Sequence, residues 1–170
     1  MSLKKAAIII AFQRFRDEEY AEPKAVLEKA GIEVTTASTQ TGTATGKLGL
    51  PAKVDITLDQ LNVADYDAVL FIGGPGSFDY YDNPLCHKIA QETIKQGKIL
   101  GGICAAPGIL ANAGVLKGKK ATMFSDTGIF AKGGATYTGK GVEVDGKIIT
   151  ATGPETAKAW GEKITAALQS

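Results

Sequence analysis

The sequence predicts an α/β fold in which a doubly wound parallel sheet carries helices on both faces, with a small β-hairpin excursion. Residues 6–12 form a continuous apolar run without polar alternation, and residues 67–72 and 98–103 read as further strands buried on both faces. Helical segments alternate with these strands. The 21 glycines include a cluster directly after residues 67–72, Gly73-Gly74-Pro75-Gly76, and a pair just before Cys104. At 170 residues the chain reads as one domain spanning residues 1–170. A chain of that size buries roughly 70% of its unfolded surface and needs neither disulfide nor metal to fold.

The elements follow in order. After the strand at 6–12 comes a charged stretch, 14–22, and then helical spacing over 24–30, with Gly31 placed as a C-terminal cap. Pro23 marks either the start of this helix or a bend in it, because proline removes an internal hydrogen bond. Residues 32–37 read as the second strand, 42–51 as a Gly/Thr-rich loop, and 54–58 as a half-exposed strand or hairpin arm. Asn83-Pro84 opens a helix that runs to about residue 96 and stops at Gly97. A helix over 105–113 closes at Gly114. Short strands are expected near 121–124, 141–144 and 148–151, the last two joined at Asp145-Gly146. A final helix over 155–168 presents Ala157, Trp160, Ile164 and Ala167 on one face.

Composition excludes several classes of function. With 19 Lys and Arg against 18 Asp and Glu, nothing electrostatic favours a nucleic acid or an anionic membrane as partner. No apolar run approaches the ~20 residues that span a bilayer, and residues 6–12 are too short for a signal peptide. Two cysteines and one histidine give no metal set and no disulfide framework, so a reducing, cytoplasmic setting without metal or cofactor is expected. Residues 43–46 and 42–47 imitate a flavin-phosphate loop and a P-loop. The first follows the wrong strand; the second is one residue short and carries Leu48 where Mg²⁺ needs a hydroxyl.

Ligands in such folds gather at the carboxyl ends of the strands, here near 12–19, 73–77 and 104–107. Gly101-Gly102-Ile103-Cys104-Ala105-Ala106-Pro107-Gly108 has the layout of a nucleophile elbow, where small residues permit a sharp strand-to-helix turn. An isolated cysteine is more often a buried structural residue. Cys104 stands at a strand end among small residues, and a thiolate there would face unpaired N–H groups and ionise well below the ~8.5 of a free thiol. Backbone N–H groups of Gly74 and Ala105 are candidates for an oxyanion hole.

These residues resemble the DJ-1/PfpI superfamily, whose members carry a reactive cysteine on such an elbow. The resemblance spans nearly the whole chain. It rests on the first strand, Glu19 four residues before Pro23, residues 54–58 and 66–74, Gly102-Ile103-Cys104-Ala105-Ala106-Pro107, Gly133-Gly134, and residues 142–147. It implies a flavodoxin-like fold, a homodimer or larger homo-oligomer, and a protonated glutamate that donates to the cysteine thiolate. By motif position that residue is Glu19, with Glu18 beside it. Taken alone, Asp17, Glu18, Glu19 and Glu22 read as the solvated acidic first turn of a helix.

The chain also departs from the family. Where many members place a histidine directly after the cysteine, Ala105 stands here, and Phe124 occupies the position from which others supply it. The one histidine, His87, falls on the polar side of its helix with Lys88, Gln91 and Lys95, whereas Cys86 falls on the apolar side. Lack of a histidine base excludes a glutamine amidotransferase and weakens a peptidase. Asp126 is a candidate auxiliary group or, equally, a turn former. The sequence is therefore read as a Cys-dependent enzyme acting through Cys104 and Glu19 on small carbonyl or amide compounds, glyoxalase/deglycase-like or amidase/peptidase-like. Redox or stress sensing through oxidation of Cys104 is the alternative. For a third, a holdase chaperone, the sequence offers no positive feature.

Overall fold

The computed structural model describes residues 3–170. A seven-stranded sheet runs β11 (Val142–Asp145), β12 (Ile148–Ala151), β8 (Ile99–Ile103), β7 (Ala68–Phe71), β1 (Lys5–Ile9), β3 (Glu33–Ser38), β6 (Ile56–Thr57). Every neighbouring pair is parallel except the β11–β12 hairpin. Alternation along each buried strand feeds two cores. Ala7, Ile9, Val69 and Phe71 point to one face, where α2 (Pro84–Lys95), α3 (Pro107–Asn112) and α4 (Ile129–Lys132) pack. Ala6, Ile8, Ala68 and Leu70 point to the other, under α1 (Asp17–Lys29) and α5 (Ala157–Gln169). Trp160 of α5 is fully buried there and donates its indole N–H to Ile149 O at 2.8 Å. Such a side chain is worth about 3–5 kcal/mol against alanine. Helix α1 continues through Pro23 without a break, and a Cβ at Gly161 would lie 2.9 Å from Pro23 Cα, so α1 and α5 cross in close contact there.

Several expectations need correction. Residues 42–51 are not a loop: β4 (Gly42–Gly46) pairs antiparallel with β5 (Pro51–Val54) and parallel with β2 (Gln13–Phe15), forming a separate three-stranded sheet. Gly and Thr carry no apolar alternation that would announce a strand, and only Ala44 and Gly46 of β4 are buried. This location in a strand also removes the two imitation phosphate loops. Helix α1 begins at Asp17, within the stretch read as merely charged. Helix α3 starts at Pro107 rather than residue 105. In the 121–124 region only β9 (Lys120–Ala121) is strand, paired with β10 (Thr136–Tyr137). Residues 154–156 form a separate 3₁₀ turn before α5. Among the described residues no helix is long and apolar enough to cross a membrane, and no cluster of metal-ligating side chains occurs.

Candidate active site

Strand β8 delivers Cys104 to the end of the sheet in a left-handed backbone conformation, φ +62°. Its peptide groups are tied on both sides: Cys104 N donates to Ala151 O at 2.9 Å, and Phe124 N donates to Cys104 O at 2.9 Å. Among the described non-glycine residues only Arg14 shares a positive φ. Such a conformation costs about 1–3 kcal/mol and persists because the surroundings over-determine it. The side chain is partly exposed, and its sulfur faces the backbone N–H groups of Ala105 and Gly74. Both predicted backbone donors therefore converge on the sulfur. Gly74, at φ +100°, begins the helical turn over residues 75–80, and its Cα leaves no room for a side chain against Phe15 and Arg14 of the β2 segment.

Glu19 is fully buried, not solvated. Its Oε1 accepts a hydrogen bond from Gly73 N at 3.1 Å, while Oε2 is buried without a hydrogen-bond partner. The carboxyl stands beside the Cys104 thiol, and each shifts the other's titration. Gly73 is the wedge between them. A Cβ there would lie 2.7 Å from Glu19 Oε1, 2.8 Å from Cys104 Cβ and 2.6 Å from Ile103 O. Three further bonds seat the start of α1: Arg16 N donates to Gly73 O at 3.0 Å, and the Asp17 carboxylate accepts from Leu48 N and Leu50 N, each at 2.8 Å. Thus Asp17 and Glu19 face inward, whereas Glu18 is half-exposed and binds the Arg16 guanidinium at 3.0 Å.

Burial pushes the Glu19 carboxyl up from its ordinary 4.5 to about 7, against the opposing influence of the neighbouring Cys104 thiol, the Arg16 charge and the Gly73 N–H. Contrary to the expectation from the sequence, the thiol does not ionise early; burial first and the Glu19 charge second push it up to about 12. Two N–H groups and a six-residue α3 are too little to offset desolvation. Acting as a unit, the pair carries at most one negative charge at neutral pH, released near 7, and either atom can hold the remaining proton.

The other sequence candidates fall around this pair. Asp126 Oδ1 accepts from Gly128 N at 2.9 Å and Phe130 N at 3.4 Å, holding the turn into α4. His87 is half-buried rather than free on the surface, with Nε2 2.6 Å from Tyr81 O. Phe124, adjoining Cys104 through its N–H, is 48% exposed. Cys86 is fully buried on α2. Sequence reasoning missed Gly73 as a spacer, Arg16 beside the pair, and Tyr81, which donates its hydroxyl to Ala105 O at 2.6 Å. Gly73 was visible as part of a glycine cluster; Tyr81, in a short polar-aromatic stretch, gave no signal.

The model of the DJ-1/PfpI family matches residues 4–167. The chain belongs to this family. It is 38% identical over 173 residues to an uncharacterized protein of Methanocaldococcus jannaschii, covering 99% of this chain and 84% of that one. To a deglycase of Pyrococcus horikoshii it is 35% identical over 156 residues, 90% of this chain and 93% of the relative. Among solved structures, a ThiJ/PfpI domain protein from Brachyspira murdochii superposes with a TM-score of 0.96 at 32% identity, covering 99% of this chain and 98% of that one. The mostly parallel sheet is thus the flavodoxin-like sheet of the DJ-1/PfpI family.

Proposed function

We propose that the protein is a cysteine-dependent enzyme acting on small reactive carbonyl compounds of the 2-oxoaldehyde type. The observation that carries this reading is the fully buried Glu19 carboxyl beside a strained, partly exposed Cys104. The name of one relative, glutathione-independent glyoxalase, supports this chemistry, while those of others, deglycase and putative cysteine protease, support enzymatic activity more broadly. In this reading the sulfur adds to the aldehyde carbon, and the thiol proton passes through Glu19 to the carbonyl oxygen. The aldehyde hydrogen then moves to the neighbouring carbon, giving a thioester of the 2-hydroxy acid, which one water cleaves to restore the thiol. Gly74 and Ala105 N–H groups are placed to steady the oxyanion. No amine leaves in this sequence, so no histidine is required to protonate one.

The test is methylglyoxal consumption by the wild type and by Cys104→Ser. The wild type should form the 2-hydroxy acid, and the serine variant should lose at least about 10³-fold in kcat/KM. Turnover that survives the substitution overturns the assignment. A second reading is redox sensing, with peroxide supplying oxygen to Cys104 up to the sulfinate. It is favoured by the absence of a histidine beside the sulfur and by a relative from Toxoplasma gondii described as oxidized. Sulfinate at Cys104 under mild peroxide, without aldehyde turnover, would support it.

A further inference from the structure

Exposed large apolar side chains on this molecule are mostly scattered: Leu3, Leu48, Ile94, Tyr137 and Val144. Isolated residues of that kind need no explanation. Phe78 and Phe124 are different, because they touch each other and flank Cys104 from two separate segments. Phe78, 50% exposed, lies in the turn that begins directly after Gly74, whose N–H faces the sulfur. Phe124, 48% exposed, donates its own N–H to Cys104 O. Their ring centroids are 6.4 Å apart with planes at 73°, an edge-to-face contact. Tyr81 extends the row, 5.0 Å from Phe78.

The row is also held rigid at its inner end. Tyr81 donates its hydroxyl to Ala105 O at 2.6 Å, and its ring lies so close over Gly108 that no Cβ would fit there. Its own carbonyl accepts from His87 Nε2 at 2.6 Å and Asn112 Nδ2 at 3.1 Å. A fixed aromatic surface costs little conformational entropy when a ligand settles on it.

We propose that Phe78, Tyr81 and Phe124 form a recognition wall beside Cys104 that selects carbonyl compounds bearing an aromatic or bulky apolar substituent. The proposal rests on Cys104 being the reacting atom, as argued above. A ligand whose electrophilic carbon meets the sulfur would lay its substituent against the exposed faces of Phe78 and Phe124, covering apolar surface otherwise in contact with water. The histidine position of the family, filled here by Phe124, would then supply binding in place of proton transfer.

Two measurements test this. The first is independent of turnover: alkylation of Cys104 by iodoacetanilide and iodoacetamide, followed by mass spectrometry of the Cys104 peptide. The anilide-to-amide rate ratio should exceed that of free cysteine by roughly three- to tenfold. Phe78→Ala and Phe124→Ala should lower it toward the free-cysteine value, while Ile94→Ala, on the outer surface of α2, should not change it. A wild-type ratio equal to that of free cysteine, or one unaffected by either phenylalanine change, overturns the proposal. The second is kcat/KM for phenylglyoxal against methylglyoxal, where the wild type should prefer phenylglyoxal and Phe124→Ala should lose that preference. An enhanced alkylation ratio without aldehyde turnover would sink the enzymatic reading and leave the wall standing. Sedimentation of Phe78→Ala/Phe124→Ala guards against a different role: a change in oligomeric state would assign the rings to a subunit interface and overturn the proposal.

Discussion

The two cysteines of this chain have thiols pushed up to the same value, about 12, yet their surroundings have little else in common. Cys86 is fully buried on the inner face of α2, and burial alone raises it. Cys104 is partly exposed at a strand end; Glu19 adds to the rise while two backbone N–H groups oppose it. Protonation at rest is thus a poor guide to reactivity. In the proposed chemistry, what separates the two sulfurs is a carboxyl neighbour to exchange a proton, backbone donors for the charge that follows, and partial exposure.

Alkylation kinetics give the widest separation. Under native conditions iodoacetamide should modify Cys104 alone, and Cys86 should react only on unfolding, a difference of at least about 10³-fold given a stability of several kcal/mol. Comparable native rates at both residues, read by peptide mass spectrometry, would erase the contrast.

Glu19→Gln should make Cys104 resemble Cys86. We expect kcat/KM to fall by about 10²–10³-fold. The wild-type rise in rate through pH 7, where the pair sheds its first proton, should move into the alkaline range of an isolated buried thiol. Stability carries the complementary sign. Glu19 takes up its proton more readily folded than unfolded, so its contribution is complete below 4.5 and is lost as pH rises to about 7. Chemical denaturation at pH 4.5 and 7.5 should show the wild type weakening relative to Glu19→Gln by on the order of 3 kcal/mol. A difference independent of pH would mean that Glu19 titrates normally.

A smaller effect is expected at the spacer. Gly73→Ala places a methyl group against Glu19 Oε1, Cys104 Cβ and Ile103 O. It should cost about 1–3 kcal/mol by thermal denaturation and slow Cys104 alkylation without touching Cys86. Full activity in this variant would show that the separation of carboxyl and sulfur is not critical.

Much of this was legible beforehand because strong local signals agreed with the global fold. Buried strands without polar alternation, such as residues 67–72, gave the parallel sheet, and small residues around Cys104 gave the elbow. Glu19 was legible only through resemblance: a carboxylate in a run of Asp17, Glu18, Glu19 and Glu22 looks solvated, and burial of the first and third depends on β4, β5 and the Gly73 turn arriving from elsewhere. Strand β4 was missed because its Gly and Thr residues pair through the backbone, which sequence patterns do not report. The direction of the Cys104 shift failed for a related reason. Desolvation is a property of packing, and the sequence showed only the N–H groups on the favourable side.

Both main-chain polar groups of Gly73 are committed to the beginning of α1, one to the Glu19 side chain and the other to Arg16 N. The stretch from Ile10 to Glu19 therefore works as a ruler cut to length, although it looks like an ordinary charged surface segment. Adding or deleting one residue in it would rotate the helix by about 100°, swinging a different side chain toward the sulfur. Insertions that other surface segments absorb should be forbidden in this one.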